Sequence, residues 1–134
     1  TLMNVTVAGN DVNGSACIVY ADNAVTMTNT ILWDNTTDAE EMLGGPGTFL
    51  VTYTDIERGW SGTGNISANP RFVDAAHGDY HLRLKSPCVD AGTPAGAPAR
   101  DIEGAPRDAT PDMGAYEWSG PYTFLPLTLG NLRP

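Results

Sequence analysis

Carboxylates gather toward the end of this chain. Asp101-Ile102-Glu103-Gly104 and Asp108-Ala109-Thr110-Pro111-Asp112 set oxygens at the close spacing a hard cation such as Ca²⁺ takes, so Asp101, Asp108 and Asp112 are candidate ligands. The same spacing serves Asx turns, in which a side-chain oxygen accepts a backbone N–H two residues on; the turn reading is preferred and no cofactor is assigned. His77 and His81 are the only histidines. In a strand, four residues apart is one face, but no Cys or third His stands near to complete a metal site, and solvated or turn-packed histidines are expected. Cys17 and Cys88 leave two alternatives open, one disulfide tying distant segments together or a pair of buried thiols; a catalytic Cys would lack a partner base. Trp33, Trp60, Tyr80, Tyr116 and Trp118 have faces on which sugars stack, with packing the expected role. Asn4, Asn13, Asn35 and Asn65 each begin a glycosylation sequon, a short and often coincidental match.

The elements that must position these groups are short and repeated. Asn4-Val5-Thr6-Val7-Ala8-Gly9-Asn10 aligns with Asn29-Thr30-Ile31-Leu32-Trp33-Asp34-Asn35 at an offset of 25, and a further 25 residues reaches Thr54-Asp55-Ile56-Glu57-Arg58-Gly59. Each unit holds short apolar runs (Cys17-Ile18-Val19-Tyr20, Val25-Thr26-Met27, Thr48-Phe49-Leu50-Val51) separated by Asn, Asp and Gly. Strand-rich units of that period mark a solenoid. On this register Asn4, Asn29 and Thr54 stack at one corner, followed by Val5, Thr30 and Asp55. Residues 36–47 interrupt the pattern: Asp38-Ala39-Glu40-Glu41-Met42-Leu43 are helix formers stopped by Gly44-Gly45-Pro46-Gly47, so an excursion with one helical turn is expected. Asp79-Tyr80-His81-Leu82-Arg83-Leu84 alternates like a half-buried strand, and the Pro-, Ala- and Gly-rich stretch 91–112 reads as loop wrapped on the surface.

Composition narrows the partners. The 134 residues carry a net charge of −9 with only 7 Lys and Arg, which disfavours nucleic acid and anionic polysaccharide. No apolar run is long enough to span a bilayer. A start at Thr1, inside a patterned strand, is expected of a mature product or a fragment.

Five blocks follow one another in the last third: Asn69-Pro70, Arg71-Phe72-Val73-Asp74, Gly78-Asp79-Tyr80-His81-Leu82, Ser86-Pro87-Cys88-Val89-Asp90-Ala91-Gly92, and Asp112-Met113-Gly114-Ala115-Tyr116-Glu117. Together they resemble the C-terminal region of bacterial secreted right-handed parallel β-helix proteins of the choice-of-anchor type, within the pectate-lyase-like solenoid superfamily. The resemblance implies an all-β fold: a short right-handed parallel β-helix of two to three rungs with an extended, loop-rich C-terminal cap. The expected organisation is rungs over 1–60 with an excursion at 36–47, a cap over 61–118 packed on the last rung, and an apolar tail over 119–134. It also implies an extracellular or cell-surface location. Asp90, Asp101, Arg107, Asp112 and Glu117 fall at the family's recurring polar positions and are read as a structural cap network, with Arg107 between Asp101 and Asp112 as the first pairing to look for.

Lyases and hydrolases share that fold, but cleavage needs clustered carboxylates with an Arg or Lys base, and Arg58 is the only base on a rung. A non-catalytic structural protein is therefore expected. An open first rung and an apolar tail, with Tyr122, Phe124, Leu125, Leu127 and Leu129, suggest head-to-tail association with copies of itself. The alternative is a carbohydrate-binding or adhesion module, with a surface polysaccharide as partner, forming the capped end of a larger surface protein. A remnant of a lyase-like enzyme comes third.

Overall fold

The computed structural model describes residues 1–12, 16–39 and 41–120. Residues 121–134, and with them the candidate assembly residues Tyr122, Phe124, Leu125, Leu127 and Leu129, lie outside the described residues, as do Asn13 and Glu40. Within them the protein is all-β. In chain order the strands are β1 (Leu2–Met3), β2 (Thr6–Ala8), β3 (Asp11–Val12), β4 (Val19–Tyr20), β5 (Val25–Thr28), β6 (Ile31–Trp33), β7 (Thr36–Thr37), β8 (Leu43–Gly44), β9 (Phe49–Thr52), β10 (Asp55–Ile56), β11 (Phe72–Asp74) and β12 (Asp79–Leu82).

The first ten strands pair only in parallel, and each from β5 to β10 lies on its counterpart one unit earlier. One sheet runs β1-β5-β9 and a second β2-β6-β10, with β3-β7 and β4-β8 as two-stranded sheets; none closes into a barrel. The register is Leu2 on Met27, Thr6 on Ile31 and Asp11 on Thr36, then Val19 on Leu43, Val25 on Phe49 and Ile31 on Asp55. The offset therefore drops from 25 to 24 between Thr37 and Leu43. Two corrections follow. The residue below Asn4 and Asn29 is Tyr53, not Thr54: all three hold a left-handed backbone, at φ 51°, 51° and 48°. Thr54 instead lies under Thr30, whose N–H approaches its Oγ1 at 3.4 Å. Residues 36–47 are likewise no helical excursion, since β7 and β8 belong to the second unit and lie on β3 and β4. Helix propensity around Met42 and Leu43 is overridden because both bury their side chains inside the stack.

Alternation along the strands makes two apolar layers. Met27, Leu32, Met42, Leu43, Val51 and Ile56 face inward and form one core, with Trp60 meeting Phe49 edge-to-face at 5.9 Å at its far end. Ile31, between inward residues, points outward, where Leu82, Cys88 and Met113 cover it in a second core.

That second core places the C-terminal segment along the side of the stack. Ala115 N–H donates to Thr6 Oγ1 at 3.0 Å in the first unit, Gly114 N–H to Asn29 O at 2.7 Å in the second, and the Cys88 thiol to Asp55 Oδ2 at 3.1 Å in the third. Gly114 sits at φ 92°, and a Cβ there would come within 2.7 Å of Ile31 Cδ1. The segment 61–118, expected as a cap on the last rung, divides: residues 61–68 lie on the third unit and close the far end, whereas 88–115 form a lateral wrap touching all three units. Ile66 bridges to Asp55, and the Asn65 amide donates to Val51 O at 3.0 Å and Trp60 O at 3.2 Å.

Candidate functional site

The polar residues at 90–117 converge, though not in the pairing anticipated. Arg107 Nη1 donates to Glu117 Oε2 at 2.7 Å, and the two side chains are 2% and 5% exposed. Its Nη2 donates to Gly114 O and Ala115 O at 2.9 and 3.1 Å, binding the guanidinium to the strip that covers the second core. Asp101 and Asp112 are occupied by backbone. Asp101 Oδ1 accepts Glu103 and Ala105 N–H, and its Oδ2 accepts Glu117 N–H at 2.9 Å. Asp112 accepts Asp90 N–H at 2.8 Å and Trp118 N–H at 2.6 Å. Arg107 therefore pairs with Glu117 because both aspartates already serve as turn caps. Burial tends to raise the Asp101 pKa, but three N–H donors outweigh it and hold the carboxyl below its usual range. At Asp112 burial wins and pushes the carboxyl up to about 7.

Asp108 Oδ1 accepts Thr110 N–H at 2.7 Å, an Asx turn. The oxygens of Asp101, Asp108 and Asp112 thus face N–H donors, and among the described residues no three His, Cys, Asp or Glu side chains gather around a common point for a metal.

The cysteines do not meet, and the disulfide alternative is corrected. Both are free thiols. Cys17 stands on the first unit, its thiol donating to Val19 O at 3.2 Å, whereas Cys88 lies in the second core on Asp55. Burial pushes the Cys88 thiol well above its ordinary value, so it stays protonated and donates. Asp55, with no exposed surface, also accepts Ala68 N–H at 3.0 Å, and its burial pushes the carboxyl up to about 6. The Asp55–Cys88 pair has no signal in the sequence, because it joins positions 33 residues apart across two layers.

His77 is solvated, its Nδ1 on Asp74, whereas His81 in β12 has neighbours that spacing does not reveal. Its Nδ1 lies 2.6 Å from Asp79 Oδ1 and its Nε2 3.1 Å from Glu103 Oε2, with the ring 4.1 Å from that of Tyr116. Asp79, His81 and Glu103, with Leu82 and Trp118, line a cleft of about 490 Å³. Partial burial pulls the His81 pKa down, but the hydrogen bonds to Asp79 and Glu103 outweigh it and leave it raised. The bond to His81 in turn holds Asp79 low. Each ring nitrogen faces a carboxylate, which favours the protonated ring, and in that form both nitrogens donate and no lone pair is free for general-base work.

Three of the sequon asparagines use their amides internally. Asn4 Nδ2 donates to Asp112 O, Asn35 Nδ2 to Val7 O and Asn65 Nδ2 to Val51 O, at 3.0, 2.8 and 3.0 Å. Two of them form ladders between units: Asn29 Nδ2 donates to Asn4 Oδ1 at 3.2 Å, and Asn10 Nδ2 to Asn35 Oδ1 at 2.8 Å.

Among the described residues nothing pairs with the upper side of these ladders. The inward residues Leu2, Val7, Ile18 and Val19 of the first unit are only partly covered, while Met27, Leu32, Met42 and Leu43 of the second are buried. In the β2-β6-β10 sheet β2 is an edge, and β1 is the edge of its own sheet. Among the described residues this edge carries unpaired strand groups beside half-covered apolar side chains.

Comparison with family models, curated proteins and solved structures finds no match to this chain. Among the described residues no helix is long and apolar enough to cross a membrane.

Proposed function

We propose that this protein is a non-catalytic, extracellular structural module: a short right-handed parallel β-helix, closed at one end, whose first unit receives a further parallel unit. The observation that carries this reading is the contrast between the half-covered Leu2, Val7 and Ile18 and their fully covered counterparts one unit on. The apolar surface left at that edge is the surface a preceding unit would remove from water. Extracellular placement is supported by the sequence resemblance and by the Thr-, Asn- and Gly-rich surface. Between a self-associating polymer and the capped end of a larger assembly, the far end favours the second. Tyr53 and Gly59 stand there where Asn29 and Asn35 stand one unit earlier, and the Asn65 turn crosses the last strands.

Light scattering and negative-stain microscopy over a concentration series test the reading. Monomers or small closed oligomers are expected. Filaments that lengthen with concentration would show that copies fill one another's open ends, and would overturn it.

A further inference from the structure

The open edge is patterned as well as apolar. At its two corners stand Asn4 and Asn10, each the upper member of an amide ladder whose lower member is 25 residues on. Asn29 shows what a lower member does at the first corner: its Nδ2 donates both to Asn4 Oδ1 and sideways to Thr93 O at 2.8 Å. Asn4 Nδ2 already makes the sideways bond, to Asp112 O at 3.0 Å, which leaves its second hydrogen for an oxygen above. At the second corner Asn10 donates downward to Asn35 Oδ1, and among the described residues no donor binds Asn10 Oδ1. Backbone groups repeat the logic. Ile31 N–H donates to Val5 O and Thr36 N–H to Asn10 O, so by register the Thr6 and Asp11 N–H groups are those aimed at the open end.

From this geometry, and resting on the module reading above, we infer that the partner of the open edge is a parallel strand unit with asparagine at two corners six residues apart and apolar residues stacked over Leu2, Val7 and Ile18. A second copy of this chain does not fit that description. Its other end is covered by residues 61–68, and the third unit has Tyr53 and Gly59 rather than asparagine at the two corner places, so neither ladder continues there among the described residues. The ladders thus act as an address: they accept a like unit and stop where asparagine stops.

The test is the full chain extended upstream by a second copy of residues 1–25, which preserves the 25-residue register. A parallel version carries Asn4→Gly and Asn10→Ser in the added copy only, glycine being chosen because the corner needs positive φ. Amide hydrogen exchange is followed at Thr6 and Asp11 of the original chain, with Ile31 and Asp55 as reporters that the parent fold is intact. The asparagine-bearing copy is expected to slow exchange at Thr6 and Asp11 by about tenfold or more, and the substituted copy to leave it near the parent rate. Equal protection by both copies would overturn the asparagine address while leaving the open-edge reading standing. Protection by neither would overturn both.

Discussion

Asn29 is one of the side chains that join the stack to its lateral wrap, and Asn29→Gly isolates its share. The residue has no exposed surface, and its backbone is left-handed at φ 51°, a conformation glycine adopts without strain. What is lost is the amide alone: Nδ2 to Asn4 Oδ1 at 3.2 Å, Nδ2 to Thr93 O at 2.8 Å, and Oδ1 from Thr93 N–H at 2.8 Å. Each bond contributes about 1 kcal/mol net, and the buried Asn4 oxygen left behind costs a further ~1–3 kcal/mol. The expected loss is therefore about 4–6 kcal/mol, large against the total stability of an ordinary domain. Urea unfolding followed by tryptophan fluorescence measures it, and hydrogen exchange at Thr93 locates it. Asn29→Ala should cost about 1 kcal/mol more, because a Cβ is now held at positive φ. A loss below about 1 kcal/mol for Asn29→Gly, with Thr93 still protected, would refute the claim that the corner amides hold the wrap.

Four shorter predictions follow from the same geometry. Asp55, Asp112 and His81 all have folded pKa values above their ordinary ones, so the folded protein keeps protons the unfolded chain releases; their contribution is full at low pH and is lost as pH rises through about 6 for Asp55 and about 7 for Asp112. Because Asp79 and Asp101, held low, act in the opposite sense, the comparison is with Asp55→Asn: between about pH 4 and 7.5 the unfolding free energy from urea titration should fall by up to ~3 kcal/mol more in the parent than in the variant, and equal slopes would contradict this. Arg107→Met strands the buried Glu117 carboxylate and should cost about 3–5 kcal/mol, much of it recovered in the Arg107→Met/Glu117→Leu double variant as measured by denaturant titration. Leu32→Ala should cost about 2–5 kcal/mol and Val7→Ala about 1 kcal/mol, since the same column is buried in the second unit and half-covered in the first. Because Cys17 and Cys88 are separate thiols, reductant should leave the melting temperature unchanged.

Much of the stack was legible in the sequence because a repeated corner leaves a repeated residue. Asn4 and Asn10 predict Asn29 and Asn35, and the structure pairs them. The next interval was not legible. The second unit is one residue shorter between Thr37 and Leu43, in a segment with no corner asparagine to mark the loss, so Thr54 read as a corner that Tyr53 occupies. The helical reading of 38–43 failed for a different reason: propensity is local, whereas the strand at Leu43 is fixed by pairing with Val19 and by burial. The convergence of Asp90, Asp101, Arg107, Asp112 and Glu117 was legible as a set. Which carboxylate takes the guanidinium was not, because that depends on which ones the backbone has already claimed. Least visible was the side on which 88–118 lies. Ile31 and Leu32 are both buried, and a stretch apolar on two faces does not say which face meets the interior and which meets the wrap.

The wrap also behaves as a ruler. It meets Thr6 through Ala115, Asn29 through Gly114 and Asp55 through Cys88, so a strip of fixed length is matched to three layers and no other number. Inserting or deleting a layer in the middle would slide Thr6 out of reach of Ala115, whereas a layer added above Thr1 would leave every one of those contacts in place. Lengthening by duplication is thereby confined to one end, and the measured end would stay the same however tall the column above it grew.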